Sequence, residues 1–236
     1  YNRFWIFNFH LLAEILNGYD RYPAADLFRN VKFKQMLSEQ HKLWTINNFT
    51  ALIGDSQRTG NPVNFVVNQY VFSAFMVYRD PVFAQLVYYL NGDDAGRIRG
   101  GIFDPDPDPI GREIEAIVRR RGRIRLDDTH LTGYGFSCLR DGSPFFSNAD
   151  PDLTRNQRAT WMYYGRTGGH GHADALNVEL LGYGLNLAPE LGYPEQANPY
   201  WRNTAEWATN TVAHTVSCAL LHLAGHRHAA AWEVAG

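Results

Sequence analysis

The stretch Gly168-Gly169-His170-Gly171-His172-Ala173-Asp174 sets two histidines and a carboxylate on alternate positions of a segment that reads on into a strand. Alternate residues of a strand share a face, with side chains at i and i+2 roughly 6.5–7 Å apart. That spacing lets His170 and His172 serve one metal ion, or divide acid–base work and metal binding between them. The glycines in front let a ligand or another backbone approach closely. A blander reading stands beside this one: a histidine pair without a third ligand is a weak motif, and HxHxD also arises by chance on a solvated strand. Two further candidate ligands lie downstream. Glu190 ends the strand returning from a Gly182-Tyr183-Gly184 turn, and His214 sits in the strand-like Thr211-Val212-Ala213-His214-Thr215-Val216. Simple antiparallel counting sets Glu190 opposite Leu176, which leaves His172 roughly 13 Å along the strand. A bulge or a curled glycine segment has to close that gap.

The elements that must position these residues change character along the chain. Two apolar stripes, Phe4/Phe7/Leu11/Ile15 and Trp5/Phe9/Leu12/Leu16, predict a first helix packed on two sides and ended by Gly18. Further helices are expected over residues 26–43, over 65–78, and from the Asp80-Pro81 start to Asn91-Gly92. Alternate prolines make residues 104–109 a loop, because each removes a donor and pushes its predecessor into extended geometry. A short helix over 112–120 follows. The arginines at 119, 120, 121, 123 and 125 then form a basic run, which meets an anionic substrate or simply complements a helix C-terminus in solvent. Beyond Arg125, short apolar or alternating runs at 134–140, 159–166, 175–181 and 185–188 predict strands, with turns at Asp141-Gly142 and Gly182-Tyr183-Gly184. The fold class is therefore α+β and multidomain, with a helical part over 1–122 and a β part over 123–236. Paired helices joined by loops suit a helical toroid or bundle.

Composition narrows the function classes. The chain has 236 residues, 45% of them hydrophobic, which suffices for one large core or two modest ones. A net charge of -2 supplies no general attraction to nucleic acid or to an acidic membrane, and no apolar run is long enough to span a bilayer. Six Trp and thirteen Tyr are enough to line a carbohydrate cleft, although most such rings serve as core. Cys138 and Cys218 are too few for a disulfide framework, so packing, alone or with a metal, must hold the fold.

Three blocks then carry a resemblance: His170-Gly171-His172-Ala173-Asp174-Ala175-Leu176, Leu187-Ala188-Pro189-Glu190-Leu191-Gly192, and Thr204 with Ala213-His214-Thr215-Val216. In order and spacing they resemble the heparinase II/III-like polysaccharide lyases, which include alginate and oligoalginate lyases. The resemblance implies an (α/α) toroid followed by an antiparallel β-sandwich, cleavage of uronic-acid polysaccharides by β-elimination, a zinc ion in the β part, and a periplasmic or secreted location. By position, His170 resembles the active-site histidine, and His172, Glu190 and His214 resemble the zinc ligands. Glutamate stands where aspartate is usual, and it is an acceptable oxygen donor. Asp174 then fixes an imidazole tautomer, or makes a structural hydrogen bond within its strand. Tyr1, in Tyr1-Asn2-Arg3-Phe4, resembles the catalytic tyrosine ahead of a toroid helix.

The departures are local. Thr215 follows His214 where asparagine is usual, and residues 217–236 are rich in alanine and histidine. His222, His226 and His228 read either as a metal tract or as an altered terminus. The resemblance covers most of residues 1–216, with its specific motifs confined to 168–216. It implies a piece of a longer protein whose upstream toroid supplies the group that neutralises the substrate carboxylate. The expected activity is a polysaccharide lyase on a uronate polymer or oligomer. The alternative is a non-catalytic carbohydrate-binding or zinc-braced structural module, and a zinc hydrolase with an open metal position is a third class.

Overall fold

The structure, a computed structural model, describes residues 2–47, 49–53, 64–100, 106, 108–147, 150–165 and 176–188. Its helices are α1 (Asn2–Leu16), α2 (Val31–Ser38), α3 (Asn68–Tyr78), α4 (Pro81–Leu90), α5 (Pro109–Arg121) and a short α6 (Pro151–Arg155). Its strands are β1 (Thr129–Leu131), β2 (Phe136–Asp141), β3 (Arg158–Tyr163), β4 (Asn177–Gly182) and β5 (Leu185–Ala188). The molecule is thus helical first and then an α+β assembly around one antiparallel sheet, as the change of sequence texture predicts. None of the described helices is long and apolar enough to cross a membrane.

Two helices depart from expectation. Among its described side chains α1 buries Ile6, His10 and Ala13, while Trp5, Phe7, Phe9, Leu11, Leu12 and Ile15 stay exposed. The predicted packing on two sides is not met among the described residues, because α3 and the turn at Leu27–Arg29 contact α1 along one stripe only. The single helix expected over 26–43 is instead three pieces: a 3-10 turn at Leu27–Arg29, α2, and a second 3-10 turn at Gln40–Leu43. Side-chain capping explains the break ahead of α2. Asp26 accepts hydrogen bonds from Phe28 N–H and Gly18 N–H, and Asn30 accepts from Lys32 N–H and Phe33 N–H, so both residues start helices and neither continues one.

α4 follows its predicted boundaries. Arg79, at φ 51°, closes α3 in the left-handed region, and Asp80 then caps α4 through Val82 N–H with Pro81 in the first turn. α3, α4 and α5 pack in succession around Val71, Phe75, Phe83, Leu86 and Ile114.

The sheet is a meander in the order β1-β2-β3-β4-β5, antiparallel throughout. Its inner face presents Phe136, Cys138, Ala159, Trp161, Tyr163 and Leu181, packed on Ile46 and Ala51 from the helical part. Reciprocally, Ile124, Leu126 and Phe146 from beyond the helical part join the helical core. The texture changes at 122/123, yet the two hydrophobic clusters interleave across that point.

Candidate functional site

β3 ends at Tyr163 and β4 opens at Asn177, its direct partner in the register. The HxHxD stretch therefore belongs to the connection between two neighbouring antiparallel strands, at the end of the sheet nearest Phe136. β4 was expected to begin near residue 175 and to carry the motif's alternation onward. Instead Leu176 precedes it in the left-handed region, at φ 69°, and breaks the strand there. His170, His172 and Asp174 lie outside the described residues, as do Tyr1, Glu190 and His214.

The root of this connection is tightly held. Leu176 N–H donates to Tyr163 O at 2.7 Å on one side, and Tyr164 N–H donates to Gly135 O at 2.7 Å on the other. Gly135, at φ 79°, lies so close to Gly165 that a Cβ at 135 would come within 2.3 Å of the Gly165 backbone. A Cβ at Gly165 would in turn meet Tyr134 O at 2.4 Å. Only paired glycines allow the β1–β2 turn to touch the point where the motif's segment leaves the sheet.

The β4–β5 pairing contains a bulge at Leu180/Leu181, but it acts against the expected closing of the gap. Simple counting sets Ala188 opposite Val178, whereas Ala188 faces Leu180. The two-residue turn, which pairs Gly182 with Leu185, accounts for one position and the extra residue on β5 for a second, so the strand's end is set back by two positions, roughly 6.5–7 Å, away from the HxHxD end. Leu187 uses the space above Gly182, where a Cβ would lie 3.6 Å from its Cδ1.

Side chains that the sequence reading passed over gather at the same end of the sheet. On its outer face His130 Nδ1 and Ser137 Oγ share a hydrogen bond at 3.1 Å, and Ser137 Oγ and Tyr164 Oη share another at 3.3 Å. On the inner face Glu179 is buried, and Trp161 Nε1–H donates to its carboxylate at 2.7 Å. The signal for Glu179 was its strand parity, since it alternates in step with Leu181 on the buried face. That signal means little until the register sets Trp161 opposite.

Beneath the sheet Arg140 is largely buried. Its guanidinium donates to the carbonyls of Lys42, Trp44, Thr45 and Asp127 and to Thr129 Oγ1. Burial lowers its pKa, with Cys138, Asp128 and Asp127 opposing. Burial likewise pushes the neighbouring Cys138 thiol up to about 11, so it is neither a nucleophile nor a ready metal ligand. Among the described residues, no group of three His, Cys, Asp or Glu side chains is arranged to hold a metal ion. No protein-family model matches the chain, and no curated protein matches it with significance.

Proposed function

We propose that this protein is a polysaccharide lyase that cleaves a uronic-acid polymer or oligomer by β-elimination. The observation that carries the reading is the three-block pattern around His170/His172, Glu190 and His214, in matching order and spacing. The helical-then-antiparallel organisation supports it, being the order of parts in a toroid followed by a β-sandwich. A location in the periplasm or outside the cell belongs to the same reading.

Elimination removes the proton at C5, forms the C4–C5 double bond and breaks the bond from C4 to the glycosidic oxygen, which leaves protonated. The C5 proton is far too weakly acidic without help, so a site must provide a base, an acid and neutralisation of the adjacent carboxylate. In this reading His170 and Tyr1 form the acid–base pair, since imidazole titrates near neutral pH and a phenol beside cationic groups is able to give and take a proton. Asp174 orients an imidazole.

Two imidazoles and a carboxylate make a donor set suited to zinc. His172, Glu190 and His214 would hold it, and the ion would brace the strands around His170. The near-neutral chain favours an unsulfated uronate such as alginate over heparin, which calls for a strongly basic cleft.

The test is incubation with oligouronates, following the ultraviolet absorbance of the new double bond together with new reducing ends. Both signals rising together is the expected result. Reducing ends without absorbance would mean hydrolysis, and binding without either would mean a carbohydrate-binding module.

A further inference from the structure

The arginines at 119, 120, 121, 123 and 125 fit two readings as a sequence, contact with an anionic substrate or service to a helix C-terminus, and their surroundings separate the two. α5 ends at Arg121, and Gly122 follows at φ 87°. Basic side chains serve a helix end most directly by bonding its last carbonyls. Here another residue does so: Gln85 of α4 donates through Nε2 to Gly122 O at 2.9 Å and to Arg123 O at 3.3 Å. Two of the five arginines are occupied by carboxylates. Arg119 pairs with Glu115 at 2.8 Å, and Arg125 forks onto Asp127 at 2.7 Å with its guanidinium over the Phe145 ring. Arg120 and Arg121 are exposed and Arg123 is half-buried, and among the described residues none of the three makes an ion pair or donates a side-chain hydrogen bond. Glu113, the other acid of α5, is held by Arg79 at 2.8 Å, so no carboxylate of the helix is left for them. Three guanidinium groups within four residues therefore face solvent at one helix end, in a chain whose net charge is -2.

We propose that Arg120, Arg121 and Arg123 form a docking site for a uronate polymer, holding the carboxylates of sugars that do not themselves react. The choice of a uronate rests on the lyase reading; the free cationic cluster does not. Like charges held this close repel one another, a cost that an anion relieves. A guanidinium presents paired N–H donors that match a carboxylate in a fork, and several such contacts along a polymer add up although each exposed one is weak. Nucleic acid suits the cluster less well. Its duplex carries one charge per about 1.7 Å of axis, and the rest of this chain, negative once the three arginines are set aside, repels whatever extends beyond them. A uronate carries one carboxylate per sugar. The cluster contributes to binding alone, so its loss should raise KM for polymer and spare kcat.

The experiment compares the full chain with a triple variant, Arg120→Gln, Arg121→Gln and Arg123→Gln. A control, Arg99→Gln, Arg155→Gln and Arg158→Gln, removes equal charge from arginines already paired with Asp108, Asp152 and Asp141. Calorimetry reads the binding of polymannuronate and, separately, of double-stranded DNA at low and at high salt. The parent and the control are expected to bind polymannuronate alike at low salt, and the triple variant at least roughly tenfold more weakly. High salt should narrow that difference. Equal affinity in the triple variant, an equal loss in the control, or no binding by the parent would each overturn the inference. Tighter binding of DNA, lost in the triple variant, would assign the cluster to nucleic acid and overturn it too. Product formation keeps this inference apart from the lyase reading. Unsaturated product from all three proteins at one KM would sustain the lyase reading and overturn the docking site. Loss of polymer binding in the triple variant, with no unsaturated product from the parent, would sustain the docking site and overturn the lyase reading.

Discussion

Arg140 is the side chain on which the helical part and the sheet most visibly depend. Its acceptors come from Lys42, Trp44 and Thr45 on one side and from Asp127 and Thr129 on the other, and all five are neutral. Arg140→Ala strands the buried groups of Trp44, Thr45 and Thr129 and should cost about 3 kcal/mol or more in urea unfolding. Arg140→Lys should recover little of that, because an ammonium cannot reproduce the guanidinium fork. His41 stands close by, buried against Trp44, with its pKa lowered to about 4 by burial against the opposing pull of Glu39. The unfolded chain takes up this proton near pH 6.5 while the folded chain does not, so stability should fall as pH drops from about 6.5 to about 4 and level off below. The full span amounts to about 3 kcal/mol. His41→Phe should flatten that slope in unfolding measured across the range; an unchanged slope would assign it to other groups. At the proposed active site, His170→Ala and Tyr1→Phe should each lower turnover by at least roughly a hundredfold with substrate binding retained. Near-normal rates in both would remove these residues from the mechanism. His170 is proposed from residue type, pattern and resemblance, and Tyr1 from the resemblance alone. Arg140 was not legible, since an arginine on a strand reads as solvent-facing until the segment at 42–45 is laid over it.

At the scale of elements, local chemistry was a reliable guide wherever the determinant was local. The Asp80-Pro81 start of α4 and the Asp141-Gly142 turn were both visible as dipeptides. Burial pushes the Asp80 carboxyl up, and hydrogen bonds from Lys34 and Val82 N–H outweigh that, so its pKa lies below the ordinary carboxylate value. Asp80→Ala removes both the cap and the Lys34 contact at 2.7 Å and should cost about 1–2 kcal/mol by thermal or denaturant unfolding. The break ahead of α2 was also written in the sequence, at Asp26 and Asn30, but apolar periodicity concealed it. The Gly135–Gly165 contact was beyond sequence reading, because it joins a turn to a strand end in separate parts of the chain. Gly135→Ala places a Cβ against backbone at a positive φ and should cost about 2 kcal/mol or more. Since this contact roots the HxHxD segment, the same variant should impair activity beyond its effect on melting. Full activity well below its melting temperature would separate the contact from the site.

In the whole molecule, the interleaved clusters couple the helical part to the sheet. Residues 1–122 and 123–236 produced as separate chains should each lack a cooperative melting transition, because each removes core residues from the other's cluster. Sharp melting of either piece alone would show that the clusters are independent. If zinc braces the β part, chelation should lower the melting temperature of metal-loaded protein, and His214→Ala should show the same loss with no further effect of chelator. Identical melting with and without chelator would exclude a structural zinc. The sequence by itself determined the order of element types, the point where helices give way to strands, the turn dipeptides, and the histidine and carboxylate pattern on which the proposed function rests. Each follows from interactions within a few residues, such as capping, φ preferences and periodicity. Only the tertiary structure decided that α1 keeps Trp5, Phe7 and Phe9 exposed, that Glu179 is buried beside Trp161, that the β5 bulge sets Ala188 back to Leu180, and that leucines line the outer face of the sheet. These depend on which distant segments pair and in what register, and a shift of one residue turns every side chain of a strand to the opposite face.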